Sequence, residues 1–196
     1  MSGLILASGS PARQALLRAA GVEFTVQPAN IDEMEATRKL LPEGASGVAL
    51  GLAEQKALAV SRLFPGDLVL GGDTVLALGA ELIGKSPDLA SLRLELLKLS
   101  GKSHQLISAA ALAQGGKIVW HHVEQARMSM RVLSEAFIDA YLAREGEAVL
   151  GSVGGYHFEG LGAQLFDSVQ GDYFSILGLP LLPVLKELRA QEWLPT

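Results

Sequence analysis

Three short stretches hold side chains suited to chemistry on an anion. In Leu6-Ala-Ser8-Gly-Ser10-Pro-Ala12-Arg13, an apolar run stops, two hydroxyls and a glycine follow, and a helix is set to begin. A helix start offers unpaired N–H groups and partial positive charge, and Arg13 in the first turn adds a fork that fits phosphate oxygens. The same residues also suit an ordinary capped helix with an exposed arginine. In Leu70-Gly-Gly-Asp73-Thr74, a carboxylate ends a buried run after two glycines, as suits a metal ligand or a base, and equally a turn aspartate. Between Gly151 and Gly162, five glycines in twelve residues surround His157 and Glu159. That density demands tight backbone geometry or admits a flat ligand, whose N–H donors Glu159 would accept.

Other charged residues are less distinctive. Lys56, in Ala53-Glu-Gln-Lys-Ala57, lies on an expected helix, where a lone lysine is usually solvated. Asp32, Glu33 and Glu35 fall in an acidic stretch that reads as a solvated turn. His104, His121, His122 and His157 are too scattered for a metal set. The run Gly79-Ala-Glu-Leu-Ile-Gly84-Lys85-Ser86 satisfies G-x-x-x-x-G-K-[ST], but its middle alternates like a strand edge. Pro87 turns Ser86 away from a helix, so Asp88 is the better cap and a P-loop ATPase is disfavoured. Lys85 remains able to meet a phosphate by another geometry.

The elements that must hold these groups alternate. Strands are expected at Leu4 to Ala7, Phe24 to Gln27 and Leu68 to Gly71, and in two long runs around Gly115-Gly116. Helices are expected from Ser10-Pro11 to Gly21, from about Gly47 to Arg62, after Asp88 to Gly101, from Ser134 to about Arg144, and after Pro180. Val75 to Leu78 and Glu81 to Ile83 read as a hairpin, residues 30–43 as irregular, and Gly171-Asp172 as the turn of a last hairpin. This order predicts an α/β domain on a mixed sheet, with residues 1–196 as one domain. No repeat or linker interrupts it.

Composition removes several classes of function. Sixteen basic against twenty-one acidic residues argue against a nucleic-acid face, and the lack of cysteine excludes disulfides, thiolate zinc and a thiol nucleophile. The longest apolar stretch, residues 173–185, holds two prolines and is far shorter than the ~20 residues of a membrane span. No Lys or Arg precedes Arg13, so no signal peptide is expected and a soluble cytoplasmic protein is. A homodimer would fit the apolar richness.

Taken together, these blocks resemble the Maf family of nucleoside triphosphate pyrophosphatases. The likeness runs through LASGSPARQALL at residues 6–17, Asp32-Glu33, AEQKA around Lys56, LGGDT around Asp73, GKSP at Lys85, LSGKSHQ at 99–105, GGYHFEGLG and GDYFSILGLPL. The resemblance implies a Maf/ITPase-like α/β fold: two lobes on a mixed, twisted central sheet with flanking helices and a nucleotide cleft between them. It implies hydrolysis of a nucleoside triphosphate to monophosphate and pyrophosphate with a divalent metal, Mg²⁺ or Mn²⁺. Carried over by position, it places Ser8, Arg13, Lys56, Lys85 and Glu159 on the substrate and Asp73 as proton acceptor; because magnesium favours one or two carboxylates, Asp73 and Glu33 are expected to hold the metal. A non-catalytic nucleotide-binding regulator of cell division is the alternative it leaves. Two features bear on the base. Ala12 replaces the first of two arginines found in many members, and Glu159 stands where the branch similar to dTTP and UTP hydrolases has Gln. Both match the branch acting on 7-methyl-GTP, whereas Asp73-Thr74 looks like the pyrimidine branch.

Overall fold

A computed structural model describes residues 3–195. In chain order the elements are β1 (Leu4–Leu6), α1 (Pro11–Ala19), β2 (Thr25–Val26), α2 (Glu33–Leu40), α3 (Gly44–Ser61), β3 (Leu68–Leu78) and β4 (Glu81–Ile83). There follow α4 (Leu89–Leu99), β5 (Ser103–Gln114), β6 (Lys117–Met130), α5 (Glu135–Glu145), β7 (Phe166–Gln170), α6 (Tyr173–Ile176) and α7 (Leu181–Ala190). The pairing is mixed: β1 runs parallel to β2 and β3, while β3–β4 and β6–β7 are antiparallel. The expected α/β class is therefore the one adopted. No helix among the described residues is long and apolar enough to cross a membrane.

The chain divides into two compact units, and β3, β5 and β6 contribute residues to both. The first comprises residues 1–74, 107–124 and 172–196. Its core joins Leu6, Leu17, Leu68, Leu70, Leu112 and Leu188, all completely buried. Complete burial of such side chains contributes roughly 1.5–3 kcal/mol each. α1 starts as its sequence dictates, with Ser10 accepting from the Arg13 N–H and Pro11 at the first helical position.

The second unit comprises residues 75–106 and 125–171. α4 and α5 pack together and bury Leu92, Leu96 and Tyr141, and Asp88 caps α4 through the Ser91 N–H. His104 is also buried here, with Nε2 on the Tyr156 hydroxyl at 2.9 Å and Nδ1 without a partner among the described residues. Burial lowers its pKa to about 4. The folded chain thus disfavours the imidazolium. Its stabilising effect is complete above the usual value of 6.5 and is lost as pH falls from there toward 4, by up to about 3 kcal/mol. The drop in melting temperature from about pH 7.5 to about pH 5 should therefore be larger for the wild type than for His104→Gln. Equal drops would assign the acid sensitivity to other groups.

Three expected boundaries differ. Residues 30–43 are largely helical: Asp32 caps α2 through the Glu35 N–H at 2.9 Å, acids fill its first turn, and Arg38 and Lys39 its last. Capping and dipole-matched charges make that helix without the apolar stripe that usually announces one. β3 does not end at Gly71 but passes through Gly72, Asp73 and Thr74 to Leu78. Residues 171–172 do not turn a hairpin: β7 precedes them, and Asp172 caps α6 by accepting from Ser175. By contrast, the hairpin at Gly79-Ala80 forms as expected, and β5 and β6 turn at Gly115-Gly116, both at positive φ.

Candidate active site

Strand alternation within β3 organises the charged residues of the first unit. Successive residues point to opposite faces, so Gly71 and Asp73 share one face and Gly72 and Thr74 the other. A Cβ on Gly71 would lie 2.2 Å from the Ala53 carbonyl oxygen and 2.8 Å from the Ala57 nitrogen. The missing side chain is what lets α3 approach, and α3 carries Lys56. On the other face, a Cβ on Gly72 would lie 3.1 Å from Arg13 Nε. The two glycines read in the sequence as a strand end are instead clearances for two cations.

Asp73 sits where those clearances lead. Lys56 Nζ donates to its Oδ1 at 2.7 Å and reaches Glu33 Oε1 at 2.9 Å. Asp73 Oδ2 has no donor among the described residues. On the opposite face, Arg13 Nε donates to the Gly178 carbonyl at 2.8 Å, Nη1 to Ser8 Oγ at 3.0 Å and Nη2 to Thr74 Oγ1 at 3.0 Å. Relative exposures are 8% for Arg13, 8% for Lys56 and 7% for Asp73. Charged side chains are rarely buried to that extent unless they are paired, which sets these three apart from solvated surface charge.

The surroundings shift the charged groups in opposite directions. Burial pushes the Asp73 carboxyl above its ordinary value, against the pull of Lys56 and Arg13. Burial also lowers Arg13, opposed by Asp73 and Glu33, although a guanidinium stays charged in proteins. A buried carboxylate raised in this way is a stronger base than a solvated one. Two of the five guanidinium N–H groups, one on each terminal nitrogen, have no acceptor among the described residues. Ser8 Oγ accepts from Arg13 and, at 3.3 Å, from the Ser10 N–H, which leaves its own proton to donate.

The first unit therefore brings together Ser8, Arg13, Glu33, Lys56 and Asp73. Lys85 and Glu159 belong to the second unit and are exposed. Lys85 lies in the loop from β4 to α4, where Ser86 donates to Glu95 at 2.9 Å; α4 starts only at Leu89, which confirms that the G-x-x-x-x-G-K-S run is not a P-loop. Glu159 lies in a turn between the short 3₁₀ segments Val153–Gly155 and Leu161–Leu165. Three participants escaped sequence reasoning: the Gly178 carbonyl and Thr74 as partners of Arg13, and Ser108, whose hydroxyl lies 3.0 Å from that of Thr74. Ser108 was findable, because a lone hydroxyl in the apolar run Ile107-Ser-Ala-Ala-Ala-Leu112 must have a buried partner.

A helix start and two buried cations beside a carboxylate, on a mixed α/β sheet, suit the binding of an anion such as a phosphate. The chain belongs to the Maf-like protein family, whose pattern it matches over residues 3–191. It is 50% identical over 191 residues to the 7-methyl-GTP pyrophosphatase of Brucella abortus, with 96% of each chain covered. It is 51% identical to the protein of the same name from Mesorhizobium japonicum, over 95% of this chain and 94% of that one. Identity to the nucleoside triphosphate pyrophosphatase of Granulibacter bethesdensis is 47%, over 96% of this chain and 97% of that one.

Proposed function

We propose that this chain hydrolyses a nucleoside triphosphate to the monophosphate and pyrophosphate. The observation that carries the reading is Asp73, a buried carboxylate of raised basicity held between Lys56 and the anchored Arg13. A triphosphate carries roughly four negative charges, which preorganised donors offset best where charge develops on the leaving group. Arg13 supplies two N–H groups, Ser8 its hydroxyl and Lys56 its ammonium; we place Lys85 on the phosphates as well.

In this reading Asp73 accepts the proton of a water whose oxygen attacks the α-phosphorus. The bond between the α-phosphorus and the α–β bridging oxygen breaks, and pyrophosphate leaves with that electron pair. Asp73 and Glu33 are suited to a divalent metal: Asp73 Oδ2 has no donor among the described residues, and both carboxylates lie on one ammonium. Mg²⁺ or Mn²⁺ would fit such a pair, because ions of this kind take one or two carboxylates and complete their shells with phosphate oxygens and water. When bound, such an ion supplies charge neutralisation of the triphosphate.

For the base we assign 7-methylguanine, read by Glu159. A carboxylate accepts from the guanine edge and favours the positive charge of the methylated ring. The names of the Brucella and Mesorhizobium relatives support this, as does Ala12 in place of an arginine. A panel of canonical and methylated triphosphates, with Mg²⁺ or Mn²⁺ and the inorganic product identified, tests both levels. Pyrophosphate from 7-methyl-GTP is expected; orthophosphate alone, or no release from any triphosphate, overturns the activity. Glu159→Gln should lower the rate on 7-methyl-GTP relative to UTP by roughly tenfold, the loss of one charged hydrogen bond. Unchanged relative rates would remove Glu159 from base recognition while leaving the activity in place.

A further inference from the structure

Beyond the groups that face substrate, the first unit holds a chain of hydroxyls behind Arg13. Thr74 Oγ1 lies 3.0 Å from Ser108 Oγ, and Ser108 Oγ lies 2.7 Å from the Ser175 carbonyl oxygen. A hydroxyl has one proton and a carbonyl none, so Ser108 is the donor in this contact, beside the Gly178 N–H that reaches the same oxygen at 3.0 Å. In the shorter contact Thr74 then donates to Ser108, with the Gly178 carbonyl a second acceptor at 3.4 Å, and it accepts from Arg13 Nη2. The far end is pinned by α6. Asp172 accepts from the Ser175 N–H at 2.7 Å and from Ser175 Oγ at 2.8 Å, and the Ile176 N–H donates to the Asp172 carbonyl. Two residues beyond α6, the Gly178 carbonyl takes Arg13 Nε. Gly178 has φ +106°, and a Cβ there would come within 3.3 Å of Thr74 Oγ1.

We infer that Thr74 and Ser108 are positioning residues: they and the α6 segment lock the Arg13 fork in the one orientation that leaves an N–H on each terminal nitrogen for the polyphosphate. The inference rests on the polyphosphate reading above. Chains of aligned hydrogen bonds polarise one another, and an arginine without side-chain freedom loses little entropy on binding. A single immobilised arginine is what a chain with Ala12 in place of a second one requires.

A double-mutant cycle on the full-length chain tests this, with pyrophosphate release and calorimetric binding of inorganic tripolyphosphate as readouts. Thr74→Val should weaken tripolyphosphate binding and lower kcat/KM roughly tenfold. Thr74→Ser, which keeps the hydroxyl, should restore both to within about twofold. In an Arg13→Ala background, Thr74→Val should add nothing further, and the ratio of rates on 7-methyl-GTP and UTP should stay constant throughout. Ser108→Ala should have a smaller effect, because Thr74 can turn its proton to the Gly178 carbonyl, 3.4 Å away. It replaces Thr74→Val in the cycle if that variant does not fold. Effects of Arg13→Ala and Thr74→Val that multiply, or a changed base ratio, overturn the positioning role alone. Arg13→Ala with undiminished activity and tripolyphosphate binding overturns the polyphosphate reading, and the positioning role falls with it.

Discussion

Asp73→Asn is expected to lower pyrophosphate release by about a thousandfold while the protein melts no lower than wild type. The substitution is isosteric, and the amide oxygen still accepts from Lys56, whose other contact with Glu33 is untouched. What is lost is the negative charge, and with it the capacity to take a proton, the ion pair with Lys56 and an oxygen suited to a metal. The stability half follows from the raised pKa: burial disfavours the ionised carboxyl in the folded state, so the native site works against folding at neutral pH. The sign is that of any acid raised on folding. Its unfavourable contribution appears as pH climbs through the folded pKa and is absent below the unfolded one. Activity runs the other way, falling as acid protonates Asp73. A variant that keeps its rate, or one that loses its fold with it, would each refute this placement of the base.

Lys56→Met should follow with a loss of roughly 100-fold at neutral pH, on the scale of removing one preorganised electrostatic contact. Methionine fills much of the buried space of the lysine stem. What disappears is the cation that holds Asp73 Oδ1 at 2.7 Å and draws in Glu33. Because Lys56 pulls the Asp73 pKa down, its removal must raise that pKa further. The acid limb of the pH–rate profile should therefore move to higher pH, and part of the lost rate should return in alkaline buffer. An unshifted limb would mean that Lys56 serves substrate binding without tuning the base.

How far the site could be read from the sequence depends on how local each signal is. Ser10-Pro11, Asp88 and Gly115-Gly116 act over three or four residues, and each cap or turn forms where expected. The α/β alternation was legible for the same reason, since strand and helix periods repeat within single elements. Lys56 is the opposite case. Nothing near it marks the lysine as buried; its partner Asp73 comes 17 residues later, and only the notch at Gly71 brings them together. Family resemblance singled it out where periodicity could not. The Gly178 carbonyl was beyond reach altogether, because a main-chain oxygen 165 residues from Arg13 carries no sequence signal. Residues 30–43 show a third kind of miss, a helix built on caps and charge with only Ala36 buried.

The paired glycines of β3 also bear on how this scaffold can change. Side-chain rotamers adjust to most replacements, but here the distance from carboxylate to ammonium and guanidinium is fixed by main chain nearly touching main chain and by the bare flank of a strand. Even one methyl group at Gly71 would act as a spacer against α3 and move Lys56 out of register, and one at Gly72 would press on the Arg13 side chain, without altering a single charged residue. Laboratory evolution toward new substrates accordingly has wide latitude on the exposed loops around Lys85 and Glu159, and almost none at the two positions that bear no side chain at all.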